Sequence, residues 1–190
     1  MERFVVFDVE TPNENNDRMS AIGIAVVDNG KITGTYDTLI NPETYFNPWN
    51  TALTGITEED ASKAPVFNEI WDEIEPILSD GILIAHNAPF DLSVLAKCLR
   101  AYCIDWERYV RYACTVRMGR KAVPDLENHR LNTLCSYWGI PLEHHRADSD
   151  SVACARLLIE YQKRNLSISS FLRVYDLWKM RTLKKGEFPI

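Results

Sequence analysis

The sequence has no cysteines spaced as Cys-x-x-Cys, although it holds five: Cys98, Cys103, Cys114, Cys135 and Cys154. An odd count without framework spacing argues against a disulfide scaffold and for reduced thiols, as in a cytoplasmic protein. No apolar run approaches the ~20 residues a membrane helix needs, so no membrane partner is expected. No signal peptide is visible, because the chain runs at once into a charged, strand-like start. Repeats, low-complexity tracts and long linkers are also missing, so the 190 residues are expected to form one domain. Nor is there a surplus of positive charge. The net charge is −6, which argues against a protein that coats DNA. It leaves room for an enzyme acting on nucleic acid, because two bound divalent ions would cancel about four charges. What remains is ordinary: 46% apolar and 25% charged residues, enough for a core at this length.

The stretch that organises the rest is Phe4-Val5-Val6-Phe7-Asp8-Val9-Glu10. Four apolar residues in a row, two of them β-branched, predict a strand buried on both faces. Asp8 and Glu10 are two apart, so both leave the same face. Two unpaired like charges at the end of a central strand are costly to bury. A divalent cation held by oxygens would resolve that. The alternative is a strand that has ended, with both acids in a solvated loop.

Thr11–Arg18 contains Pro12 and predicts a loop. Ala21–Asp28 and Lys31–Ile40 read as strands, and Asn29-Gly30 between them is a hairpin signal. Asn41–Asn50, with two prolines, reads as loop, and Thr57 as a helix N-cap before three acids. Helices are expected over Pro65–Leu78, Pro89–Arg100, Leu131–Trp138 (closed by Gly139), Asp148–Gln162 and Ile168–Met180. Strands are expected over Gly81–Ala85 and Tyr109–Cys114. A hairpin meander followed by alternating helix and strand predicts an α/β fold. It would have a mixed five-stranded sheet, its first three strands antiparallel, flanked by helices.

Two further acids face inward. Asp91 shares a helical face with Val94, Leu95, Cys98 and Leu99, and so aims at the sheet. Placement in a first helical turn explains its position along the helix but not its face. Asp150 shares a face with Cys154, Leu157 and Tyr161. His144 and His145 precede that helix, and Asp148 is its expected N-cap. Two solvated loop histidines are the alternative reading.

Phe-Asp-Val-Glu-Thr, His-Asn-Ala-Pro-Phe-Asp and His-Arg-Ala-x-x-Asp, in that order, resemble the DEDDh branch of the 3′–5′ exonucleases. The likeness is to the proofreading (epsilon) subunit of bacterial DNA polymerase III and its stand-alone relatives. It covers roughly Phe4 to Leu158, with Thr54-Gly55-Ile56-Thr57 and Leu131-Asn132-Thr133-Leu134 adding to it. The sister branch carries a tyrosine four residues before the last aspartate. That position here is Arg146.

The resemblance implies a ribonuclease H-like fold, with residues 1–190 as one exonuclease domain. Residues 165–190, a helix and basic tail, lie outside the likeness. It makes Asp8, Glu10, Asp91 and Asp150 the metal-binding acids and His145 the general base. It places Thr11, Leu53, Thr54, His86, Asn87 and Phe90 around the terminal nucleotide. The family continues Thr-Thr-Gly where this chain has Thr11-Pro12-Asn13, and Pro12 has no N–H to donate.

The chemistry implied is hydrolysis of a phosphodiester to nucleoside 5′-monophosphates with two Mg2+ or Mn2+ ions about 3.5–4 Å apart. Asp8 would bridge the ions, Glu10 and Asp150 would hold the one carrying the attacking water, and Asp91 would support the other. His145 would take the proton. The expected substrates are single-stranded DNA or RNA 3′ ends, with DNA favoured. An RNA-directed relative of the oligoribonuclease kind and a non-catalytic polymerase- or nucleic-acid-binding module are the alternatives. Arg117, Arg120, Lys121, Arg130 and Arg146 are candidates for phosphate contacts or plain solvated charges. Phe90 is a candidate for base stacking or for the core. The aromatic face of the last helix would dock on its own domain, a polymerase subunit or a second copy.

Overall fold

A computed structural model describes residues 2–187. In chain order the strands are β1 (Phe4–Glu10), β2 (Ala21–Asp28), β3 (Lys31–Leu39), β4 (Ile82–Ala85), β5 (Tyr109–Cys114), β6 (Arg173–Asp176) and β7 (Arg181–Thr182). The helices are α1 (Pro48–Thr54), α2 (Glu58–Ala61), α3 (Phe67–Ser79), α4 (Pro89–Ala101), α5 (Thr115–Ala122), α6 (Leu131–Trp138) and α7 (Ala147–Lys163). The strands form one mixed sheet of order β3-β2-β1-β4-β5-β6-β7. β1, β2 and β3 are antiparallel neighbours, and β4 and β5 run parallel to β1. Asn29 and Gly30 both take positive φ (52° and 71°), as a two-residue hairpin turn requires.

Alternation along β1 divides the core. Val5, Phe7 and Val9 join Leu83 and Ala85 beneath α3 and α4. Phe4 and Val6 join Ile82 and Ile84 beneath α5, α6 and α7. α7 packs so closely on β2 that a Cβ on Gly23 would overlap the Ala147 carbonyl. That contact fixes where α7 begins relative to β1, because Gly23 is the β2 partner of Asp8.

Four expectations need correction. The sheet has seven strands rather than five. Ile168–Met180 is not a helix but a 3-10 turn (Ile168–Phe171) followed by β6 and the turn into β7. The open edge of β5 takes up this segment, Val110 pairing with Tyr175, and Tyr175 and Leu177 are buried in the first core. Asp176 makes the turn by accepting the Trp178 and Lys179 N–H groups at 3.0 Å, and it pairs with Arg108. Next, Asn41–Asn50 is not all loop: α1 starts at Pro48, its first turn capped by Asn47 Oδ1 accepting the Trp49 N–H at 2.9 Å. Last, Arg117, Arg120 and Lys121 sit on α5, an element that was not expected. Residues 188–190 of the basic tail lie outside the described residues.

Candidate active site

Asp8 and Glu10 continue the β1 face begun by Phe4 and Val6, just where the apolar side chains stop. α7, held down at Gly23, brings Asp150 to them from its first turn. One carboxylate oxygen each from Asp8, Glu10 and Asp150 lies within 4.8 Å of the others. Asp91 reaches the same cleft from the first turn of α4 and is 2% exposed. It stands outside that tight trio yet lies close enough to raise the Asp8 pKa. Asp148 does not cap α7. Arg146 occupies the N-cap position, and Asp148 pairs with its guanidinium at 3.0 Å. Asp150 Oδ2 instead accepts the His145 N–H, also at 3.0 Å.

Burial and mutual repulsion hold these acids toward their protonated forms. The Asp8 carboxyl is pushed well above the usual range by burial first, then by Asp91, Glu10 and Asp150. Burial and then Asp150 push Glu10 up to about 8. Burial raises Asp91 strongly and Asp150 to about 7. Asp91 Oδ2 and Asp150 Oδ1 are buried without any hydrogen-bond partner. Orphaned buried oxygens among clustered carboxylates are the donor set that a hard divalent cation satisfies. The residues present therefore fit Mg2+ or Mn2+.

His145 sits at φ 67°, a left-handed turn that stacks its ring on that of His144, with centroids 3.9 Å apart. Partial burial lowers the pKa of both rings, which favours the neutral imidazole. His86 is held by a 2.9 Å hydrogen bond between its Nδ1 and Thr115 Oγ1, and burial brings its pKa down to about 4.

The four acids and both histidines line one cleft of about 690 Å³. Thr11, Leu53, Thr54, His86, Asn87 and Phe90 all line it too. Leu53 and Phe90 display apolar surface there, 42% and 37% exposed. The Pro12 carbonyl accepts the Asn47 N–H at 2.8 Å, and the Thr11 carbonyl accepts Asn50 Nδ2 at 3.0 Å. This loop thus uses its carbonyls to pin α1. Arg120 and Arg130 line the cleft, whereas Arg117 and Lys121 do not. Arg146 is engaged by Glu143 and Asp148. Asn50, Asn128 and His129 also line the wall, and Thr115 supports it; they belong to no motif, and only the fold gathers them.

A mixed sheet with clustered acids at the end of its central strand is a ribonuclease H-like nuclease arrangement. Residues 5–158 match the family model described as RNase_T, Exonuclease, and the chain belongs to that family. It is 30% identical over 98% of its length to the DNA polymerase III PolC-type of Caldanaerobacter subterraneus subsp. tengcongensis, covering 14% of that protein. It is 34% identical over 93% of its length to the 3′-5′ exonuclease DinG of Staphylococcus haemolyticus, covering 20% of it. The chain thus spans no more than a fifth of either of these relatives. Among solved structures, the nuclease domain of 3′hExo, a DEDDh family member, bound to rAMP, superposes with a TM-score of 0.76 at 12% identity. The superposition covers 96% of each chain. The fold and family expected from the three motifs are thereby met. Among the described residues, no helix is long and apolar enough to cross a membrane.

Proposed function

We propose that this domain is a 3′–5′ exonuclease that trims single-stranded nucleic acid, preferably DNA, to nucleoside 5′-monophosphates. The observation that carries this reading is the meeting of Asp8, Glu10, Asp91 and Asp150, from three distant segments, in one cleft beside His145. Two divalent cations, Mg2+ or Mn2+, would supply an activated water and neutralise charge on the phosphoryl group when bound there. Asp8, Glu10 and Asp150 are the residues that would hold them, with Asp91 supporting from α4. The His145 ring takes a proton from the water that attacks phosphorus as the bond to the 3′-oxygen breaks. Thr11, Thr54, His86 and Asn87 orient the terminal nucleotide, and Leu53 and Phe90 pack against its base. Arg120 and Arg130 meet backbone phosphates. The likeness to PolC-type polymerases supports DNA as the substrate and a polymerase as a partner.

The test is a product ladder from 5′-labelled DNA and RNA of matched sequence, with Mg2+ and with chelator. Stepwise shortening of DNA from its 3′ end, lost on chelation, is expected. Faster shortening of RNA would reassign the substrate. Intact strands of both kinds would leave a non-catalytic binding module.

A further inference from the structure

We propose that His144, His145 and Asp150 form a second metal site, suited to a transition ion such as Zn2+, whose occupation turns the domain off. One donor atom from each of the three lies within 4.8 Å of the other two. Small side-chain rotations close that spread to the bonds of about 2.0–2.2 Å that Zn2+ makes with imidazole and carboxylate. The left-handed backbone of His145 stacks the two rings, and His144 Nε2 stands 4.0 Å from Asp150 Oδ2. Asp150 is 4% exposed, and its Oδ1 has no partner. Asp150 Oδ2, the oxygen nearest His144, accepts only the His145 N–H, so it keeps a lone pair for an ion.

The two sites differ in chemistry. Asp8, Glu10 and Asp150 offer only oxygen and favour hard ions, whereas two nitrogens and one oxygen favour a borderline ion. They share Asp150, so they compete. On the functional reading above, an ion on His145 also occupies the lone pair the general base needs. His144 is the one ligand of the three that is neither a proposed cation-binding acid nor the proposed base.

The experiment compares the wild-type chain with His144→Ala. Zn2+ binding to the metal-free protein is followed by calorimetry, and Zn2+ inhibition of nuclease activity is followed in saturating Mg2+. Losing a direct ligand should weaken Zn2+ binding by at least about tenfold, given that outer-shell losses already amount to 10–100-fold. The inhibitory concentration, read against each protein's own Mg2+-supported rate, should rise by the same factor. Equal Zn2+ binding and inhibition in the two proteins would overturn the proposal and leave zinc on the carboxylates. Zinc binding that depends on His144 in a protein without nuclease activity would keep the site and discard the functional reading.

Discussion

On one face of β1, Val5, Phe7 and Val9 are at most 4% exposed and stay apolar along the whole strand. On the other, Phe4 and Val6 give way to Asp8 and Glu10. The first face is built wholly for stability. The second gives up stability at its end, where buried acids repel one another and hold protons they would release in water. The difference places packed apolar side chains and strained acids within one seven-residue strand.

The largest effects should separate the two faces outright. Asp8→Asn or Asp150→Asn keeps the shape and removes charge, so turnover should fall by at least about 10³-fold. Thermal unfolding of the metal-free variants should be no lower than wild type. Retained turnover, or a lost fold, breaks the comparison. His145→Ala should lower the rate by about 10²–10⁴-fold, and single-turnover kinetics showing less than a tenfold loss would remove it as the base. Phe7→Ala, on the opposite face, should cost about 3–5 kcal/mol in denaturant unfolding. Its turnover per folded molecule should stay near wild type.

The smallest effect is in pH. Glu10 rises from 4.5 to about 8 on folding and Asp150 from 3.8 to about 7. Between those limits the folded state binds more protons than the unfolded, so stability falls as pH rises. His86, depressed from 6.5 to about 4, acts in the opposite sense below pH 6.5. His144 and His145 are lowered too and act with it until the unfolded chain has lost its histidine protons, so the window that isolates the acids is about pH 7.5–8.5. Without metal, the melting temperature should drop across it, by the equivalent of about 1–3 kcal/mol. Mn2+ should restore it most at the alkaline end. A metal-free protein that grows more stable across this window would show that the acids are not strained.

The acidic face was legible in the sequence because strand alternation and helical spacing each assign a side without a partner. Asp8, Glu10, Asp91 and Asp150 could therefore be placed one by one. The C-terminal segment was not legible. Ile168, Phe171, Leu172, Tyr175 and Trp178 fit a helical period, and the open edge of β5, which decides the matter, lies some sixty residues earlier in the chain. α5 was not legible for a related reason. α5 has almost no local cap, and buried Thr115 and Met118 hold it in place. The left-handed turn at His145 and the support of His86 by Thr115 follow from packing, and no spacing rule announces them.

The glycine at position 23 has a consequence of its own. A Cβ there would overlap the Ala147 carbonyl oxygen, a clash indifferent to ionic strength and to protonation. The missing side chain therefore sets how closely the start of α7 approaches β2. A methyl group added there would push the start of α7 off β2 and move Asp150 away from Asp8.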